Sequence, residues 1–234
     1  MNRLVSWLAL AIGVGLAVPA AAGAQTPTTV MLLHGIPGAT VDVVVDGDVV
    51  IPGFEPGTMQ DLSPFAGQTL TNVEVRAAGT SDVVIGPIAS LDVPGSGNVT
   101  VVAHLTADGT PTLTPFENDT SALAAGQGRL TVRHTAAAPA VDVVLADGSR
   151  PFTDLSNPNE ASADLPAGEI AGAQIAPTGG DPIAPVPTVE LTAGTNLIVY
   201  AVGSLDDDSL TFYTQTIEGL GGDPTGVPTG LVRA

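Results

Sequence analysis

Histidine and aspartate recur at one spacing in both halves of this 234-residue chain. Asp42 follows His34 by eight residues, and Asp142 follows His134 by the same eight. Imidazole is a frequent general base in proteins and a common metal ligand. His34, Asp42, His134 and Asp142 are therefore the candidate binding residues of this sequence.

Strand periodicity limits how these residues can act together. Side chains alternate between the two faces of a strand, so His34 continues the apolar row that starts at Val30, whereas Asp42 lies opposite the row that starts at Val41. In one interpretation each His closes the rim of a core and hydrogen-bonds a loop carbonyl, while each Asp faces solvent or binds a turn N–H. In the other interpretation both pairs belong to a binding site.

Nothing else in the sequence assembles into a catalytic group. The chain has no Gly-x-Ser-x-Gly motif and no cysteine. The third histidine, His104, aligns with Val202 of the second half and so is not repeated. Aromatic residues make up only 3% of the chain, too few for a cleft that stacks on sugar rings. We expect no enzyme activity and assign no catalytic residue.

Two acidic clusters could attract a hard cation. They are Asp206 to Asp208 and Asp46-Gly47-Asp48. A calcium loop supplies about 6–8 oxygen ligands at ordered spacing, and neither cluster has the D-x-D-x-D-G form. We therefore expect solvated turns at both places, with no metal site and no other cofactor.

The charge of the chain excludes several partners. It carries 24 acidic residues against six arginines, has no lysine, and has a net charge of −18. No basic patch can form that would neutralise phosphates, which excludes nucleic acid and polybasic binding to anionic lipid. The remaining partners are components of the cell wall or extracellular proteins.

The first 24 residues predict a signal peptide. Arg3 precedes an apolar run from Leu4 to Val18, and Ala22-Gly23-Ala24 has the form of a cleavage site. An uncleaved anchor is the alternative, but the run is shorter than the roughly 20 residues that span a bilayer. We expect a secreted or cell-envelope-associated product with no stable membrane insertion.

An internal repeat with an offset near 100 residues organises the rest. Val30 to Gly47 returns as Leu130 to Gly148, and Asn98 to Ala103 returns as Asn196 to Ala201. Short β-branched segments with Gly and Pro turns between them predict strands, with no sustained helical period. In the first repeat they fall near 29–34, 41–46, 70–77, 82–92, 98–106 and 110–116; in the second, near 129–134, 141–146, 170–176, 186–191, 196–203 and 209–217.

These observations predict an all-β fold of two tandem Ig-like antiparallel β-sandwich domains. The expected divisions are the signal peptide 1–24, repeat 25–120, linker 121–128, repeat 129–219 and a flexible tail 220–234. Each repeat has a complete set of strands, so we expect each to fold alone.

Both repeats resemble the bacterial domain of unknown function numbered 4397. The resemblance rests on a strand that ends in His, a Pro-containing turn, Val-Asp-Val and an Asp-Gly turn, seen in His34 to Gly47 and in His134 to Gly148. In the second repeat Leu165 to Gly168 and Ile198 to Gly203 continue the pattern, whereas the first carries Ser63 to Gly67 instead. The resemblance implies exported proteins built from Ig-like sandwiches, and it implies no activity.

The sequence therefore favours a non-catalytic module, acting as a structural spacer or as a low-affinity binder of cell-wall or protein partners. A specific glycan- or divalent-cation-binding protein, working through loops at the His34 and His134 ends, is the alternative.

The export prediction can be tested directly. Protein recovered from the culture medium should begin at or close to Gln25, because the predicted cleavage site ends at Ala24. N-terminal sequencing measures this. An intact Met1 in the membrane fraction would contradict it.

Overall fold

A computed structural model describes residues 28–221 of the chain. The predicted signal peptide lies outside the described residues, as does all but the start of the predicted tail. The described part is almost entirely strand, with a single short 3₁₀ turn at Ser63–Phe65. Within it, no helix has the length and apolar character needed to cross a membrane.

The first half forms a sandwich of two four-stranded sheets. One sheet has the order β4-β1-β7-β8 and the other the order β3-β2-β5-β6. The strands are β1 (Thr29–His34), β2 (Val41–Val45), β3 (Asp48–Phe54), β4 (Met59–Asp61), β5 (Thr69–Ala77), β6 (Val83–Asp92), β7 (Asn98–Leu105) and β8 (Pro111–Glu117).

The second half repeats this arrangement. Its sheets have the orders β12-β9-β17-β18 and β11-β10-β14-β15, and β13 pairs with β16 in a small additional sheet. The strands are β9 (Gln127–His134), β10 (Val141–Val144), β11 (Phe152–Leu155), β12 (Glu160–Pro166), β13 (Gly168–Ile170), β14 (Gln174–Pro177), β15 (Ala184–Pro185), β16 (Val189–Leu191), β17 (Asn196–Val202) and β18 (Thr211–Ile217).

Equivalent strands of the two halves pair in the same register, at the offset of about 100 residues seen in the sequence. Val43 lies opposite Val75 in the first half, and Val143 lies opposite Ile175 in the second. The predicted all-β sandwich fold is confirmed. Its antiparallel pairing holds except between β1 and β7 and between β9 and β17, which run parallel. Parallel pairing is possible here because the other strands of each half intervene along the chain and supply the long crossover it needs.

Five strands lie wholly outside the predicted segments, and all are at sheet edges: β3, β4, β11, β12 and β15. Their sequences carry weak strand signals. β3 contains Pro52 and Gly53, which an edge strand tolerates because one side of its backbone has no partner. In β12 the inward residues include Ala161 and Ala163, which are too small to give a clear apolar alternation.

Each half has its own core between its two sheets. The cores consist mainly of Val, Leu and Ile with one or two Phe residues, as the composition suggested. The buried members are Val30, Leu32, Val41, Val43, Phe54, Val75, Ile85, Val93, Val101 and Ala103 in the first half, and Leu130, Val132, Val141, Val143, Phe152, Leu155, Ile175, Leu191, Leu197 and Val199 in the second.

A third apolar cluster lies between the halves. β7 and β17 are buried on both faces, so one row of each strand points into its own sandwich and the other row into this cluster. The sheet that contains β7 therefore packs against the sheet that contains β17. The buried members are Leu33, Val102, Phe116, Ile198, Tyr200 and Val202, with Met59, Tyr213 and Ile217 at the margin.

The segment that joins the halves is packed as well. Leu123, inside the predicted linker, is 4% exposed, and its N–H donates to the carbonyl of Leu220. The last two residues assigned to the linker belong to β9, which starts at Gln127. Leu220, assigned to the flexible tail, is itself buried. The first half, the connection and the second half therefore form one packed body.

We expect residues 25–121 and 122–221, produced separately, to bind one another, because each alone exposes the apolar face that the other covers. Light scattering of the mixed halves after size exclusion should show a 1:1 complex. Val102→Glu should abolish this complex, since Val102 is fully buried in the intact chain. Val83→Glu, the same change at a position 43% exposed on β6, is the control. Halves that remain monomeric when mixed would contradict the interface.

Candidate functional site

Each repeated histidine is buried and uses both ring nitrogens within its own turn. The Nε2 atom of His34 lies 2.7 Å from the carbonyl oxygen of Ala39, and its Nδ1 accepts from the N–H of Ile36 at 3.3 Å. His134 makes the same contacts, with Pro139 at 2.9 Å and Ala136 at 3.4 Å. An imidazole that donates from one nitrogen and accepts at the other is neutral. Both histidines thus fix the turn after their strand.

The repeated aspartates hold backbone N–H groups on the other face of the sheet. Asp42 accepts from Gly53 at 2.7 Å and from Gly79 at 2.9 Å. These bonds hold the pKa of its carboxyl below the ordinary value, because they stabilise the ionised form. Asp42 thereby ties the end of the edge strand β3 to the turn after β5.

Asp142 does the same in the second half and adds a cation. It accepts from Gly179 at 3.0 Å and from Asp154 at 2.9 Å, and it forms an ion pair with Arg150 at 2.6 Å. All three contacts lower the pKa of its carboxyl, the two backbone bonds most. The structure does not join either His to its Asp, since each hydrogen-bonds other groups.

The acidic clusters form turns. Asp206, Asp207 and Asp208 are exposed in the connection between β17 and β18. Between residues 28 and 221, no three carboxylates or histidines are grouped as metal ligands.

A buried arginine makes polar contacts across the interface between the halves. Arg133 is 1% exposed, and its Nε donates to Glu160 at 2.6 Å. Its Nη1 donates to the hydroxyl of Tyr200 at 2.8 Å, and its Nη2 to the carbonyl of Glu117 at 3.3 Å. The guanidinium lies 4.6 Å from the ring centre of Phe116, a cation–π contact across the interface. Arg133 therefore binds residues of both halves at once.

A chain of hydrogen bonds continues from this arginine. The Tyr200 hydroxyl donates to Gln215 at 2.6 Å, and Thr100 of the first half donates to the same amide oxygen at 3.0 Å. Asn118 then donates to Thr100 at 2.9 Å. Burial raises the pKa of Tyr200, so its hydroxyl stays protonated and remains a donor. These contacts satisfy polar groups that would otherwise be costly to bury.

The unrepeated histidine also lies at the interface. His104 is fully buried, with Nδ1 2.8 Å from the carbonyl of Leu105 and Nε2 2.8 Å from the hydroxyl of Thr114. Asn157 of the second half donates to that same Leu105 carbonyl at 2.8 Å. Burial lowers the pKa of His104. His104 therefore has a structural role at the interface, although the internal repeat did not predict one.

Sequence reasoning missed this interface. The signal was present in β7 and β17, where Val99 to Ala103 and Leu197 to Val202 are nearly continuous apolar runs. Strands with one solvated face alternate apolar and polar residues, whereas strands buried on both faces do not. The unbroken run in β17 therefore indicates a second packing surface, whereas in β7 only Val102 departs from the alternation of apolar and polar residues.

One known protein family matches the chain, and the matched residues agree with the predicted domain boundaries only in part. The model of the family described as "Domain of unknown function (DUF4397)" matches residues 28–144, half of the chain. The chain belongs to this family. The match covers the whole first sandwich and ends with β10 of the second. No curated protein matches the chain.

Acid should destabilise the protein well before its carboxylates titrate. Burial lowers the pKa of His34, His104 and His134 below 6.5, so the unfolded chain binds more protons than the folded one as pH falls through that value. The free energy of unfolding should be level above about pH 7 and decline below about pH 6.5. Urea unfolding at pH 5.0, 6.0 and 7.5 measures this slope.

His104→Gln separates the histidine contribution from the rest. The variant should be less stable at every pH, yet its stability should change less between pH 7.5 and pH 5.0, because one titrating group is gone. Equal slopes for the variant and the unaltered protein would assign the acid sensitivity to other groups.

Arg133→Leu tests the polar contact across the interface, with the side chain that the first repeat carries at the equivalent position, Leu33. We expect a loss of about 2–3 kcal/mol in the free energy of unfolding, because Tyr200 and the Glu117 carbonyl lose their donor inside the interface. Glu160→Gln is the control. It should cost less than about 1 kcal/mol, since that side chain is 39% exposed. Equal costs would contradict a role beyond the ion pair.

Proposed function

We propose that this chain is a non-catalytic, exported structural module in which two copies of the family domain act as one rigid unit. It would work in the cell envelope or outside the cell, as a spacer or as a low-affinity binder of wall or protein partners. The observation that carries the proposal is the buried cluster between the sandwiches. A flexible tether would leave the outer rows of β7 and β17 exposed to solvent, whereas here Thr100, Val102 and His104 of β7 and Ile198, Tyr200 and Val202 of β17 are all buried.

The second copy of the family domain is part of this proposal. Residues 129–219 have the same strand order as the first half, with corresponding strands in register at an offset near 100. Their His and Asp residues also make equivalent turn contacts. These correspondences support a duplicated domain, although the family match itself ends at Val144.

The surface charge supports a scaffold more than a specific receptor. Each arginine between residues 28 and 221 forms an ion pair with a carboxylate: Arg76, Arg129, Arg133 and Arg150. Acidic residues nevertheless outnumber arginines by 24 to six, which gives the chain its net charge of −18. Such a surface repels itself and stays soluble; it attracts basic partners and repels acidic ones. Binding of this kind should be weak and sensitive to salt.

Binding to purified cell wall tests the proposal. We expect a flat or weak signal that disappears as salt rises, and no turnover on a broad panel of ester, glycoside and peptide substrates. Asp206→Asn/Asp207→Asn/Asp208→Asn is the matched variant, since it removes exposed charge from a turn without touching either core. It should weaken any salt-sensitive binding.

Two results would contradict the proposal. Saturable binding that a free sugar displaces would favour the specific glycan-binding alternative, and binding that requires Ca²⁺ would favour the cation-binding one. Reproducible turnover of any substrate would show catalysis.

A further inference from the structure

The first sandwich contains a large apolar cavity between its sheets. Its volume is about 240 Å³, and the inner rows of both sheets line it. His34 stands at one end, with its nitrogens bound to its own turn. The corresponding space in the second sandwich is about 30 Å³. Two halves of one topology thus differ eightfold in the space they enclose.

Side-chain size explains much of the difference. At three equivalent lining positions the second half carries the larger residue. Leu145 replaces Val45, Ile175 replaces Val75, and Phe212 replaces Leu113, which lies opposite Ala103 as Phe212 lies opposite Ala201. Leu32, which corresponds to Val132, is an exception. The small sheet of β13 and β16 fills the second core further with Leu191, which is fully buried.

A cavity of this volume with an apolar lining can bind a hydrocarbon chain. Cavities with apolar walls stay dry, and one of about 150 Å³ lined by Leu, Ile and Phe takes up benzene. The present cavity is larger and almost wholly apolar. It also reaches the surface, because Val50 on β3 and Val84 on β6 line it and are 43% and 38% exposed. A ligand can therefore enter, and its polar end can remain in water.

The charged residues beside the cavity determine which head group the ligand can carry. Asp61 on β4 and Asp92 on β6 line it, both exposed, together with the amide of Gln60. Apart from His34, none of the described lining residues is basic. A carboxylate head group would meet two like charges and no compensating cation, in a chain that is already strongly acidic. An uncharged or cationic head group meets no such repulsion.

We propose that the first sandwich binds a free amphiphile that has an aliphatic chain and an uncharged or cationic head group. The chain occupies the cavity between the sheets, and the head group lies beside Asp61 and Asp92. The second sandwich, with its filled core, binds none.

The neutral dye N-phenyl-1-naphthylamine, titrated into the full chain at pH 7.5, tests this proposal. We expect one saturable site. 1-Decanol below its solubility limit and decyltrimethylammonium below its critical micelle concentration should displace the dye. Decanoate should do so at least about tenfold less well, a difference of roughly 1.4 kcal/mol.

Filling the cavity should remove the site. Val45→Leu/Val75→Ile/Leu113→Phe gives the first half the side chains of the second, and it should weaken dye binding at least about tenfold while raising the melting temperature. The reverse set in the second half, Leu145→Val/Ile175→Val/Phe212→Leu, is the matched control and should leave dye binding at the first site unchanged. If the triple variant does not fold, Val75→Ile alone should weaken binding in the same direction.

Three results would overturn the inference. They are the absence of saturable binding, equal binding by a folded filled variant, and displacement by decanoate as effective as displacement by 1-decanol.

Discussion

Burial of β7 and β17 on both faces is the constraint on which the rest of the structure depends. A sandwich normally uses one face of each sheet for its core and leaves the other to water. Here the sheets that contain these strands have no solvated face at their centre, so each sandwich needs the other to cover it. The packed connection around Leu123, the hydrogen bonds of Arg133 and the burial of His104 all follow from that requirement. The two histidine turns do not, since each is complete within its own half.

The repeats have apolar cores of similar residue types that differ in side-chain size, and they differ in chemical character where they face each other. Val101 and Val199 are the same residue type in equivalent core positions, whereas the interface pairs Leu33 with Arg133 and His104 with Val202 as counterparts. A surface that packs against a copy of itself places like groups together, and two buried arginines would repel. Because the two halves differ here, the single Arg133 can contact the Phe116 ring and the Glu117 carbonyl of the first half. The two halves are thus complementary at their contact, not identical.

The sequence was sufficient for the fold class and for most strands, because strand periodicity and Gly-Pro punctuation are local signals. For His34 and Asp42 it left a turn role and a binding role open. It was insufficient for edge strands such as β12, whose inward residues are Ala161 and Ala163, since small side chains give no clear alternation. It was also insufficient at the interface, because it did not indicate that the second row of β17, with Ile198, Tyr200 and Val202, packs against the other half. Whether a histidine has a functional or a packing role depends on neighbours that are distant along the chain. His104, for example, lies beside Asn157 of the second half, which its own sequence surroundings do not indicate.

The equivalence of the two contacting sheets limits the size of any assembly built through them. Each half presents the corresponding sheet to the other, so the contact closes on itself in the manner of a two-fold dimer. Such a contact has no free end. A head-to-tail contact, in contrast, leaves an unused surface at each terminus and can be extended without limit. A chain with a third domain of this type could not add it through the same sheet, and odd numbers of copies would leave one apolar face uncovered. Growth by duplication would therefore be expected to proceed in pairs.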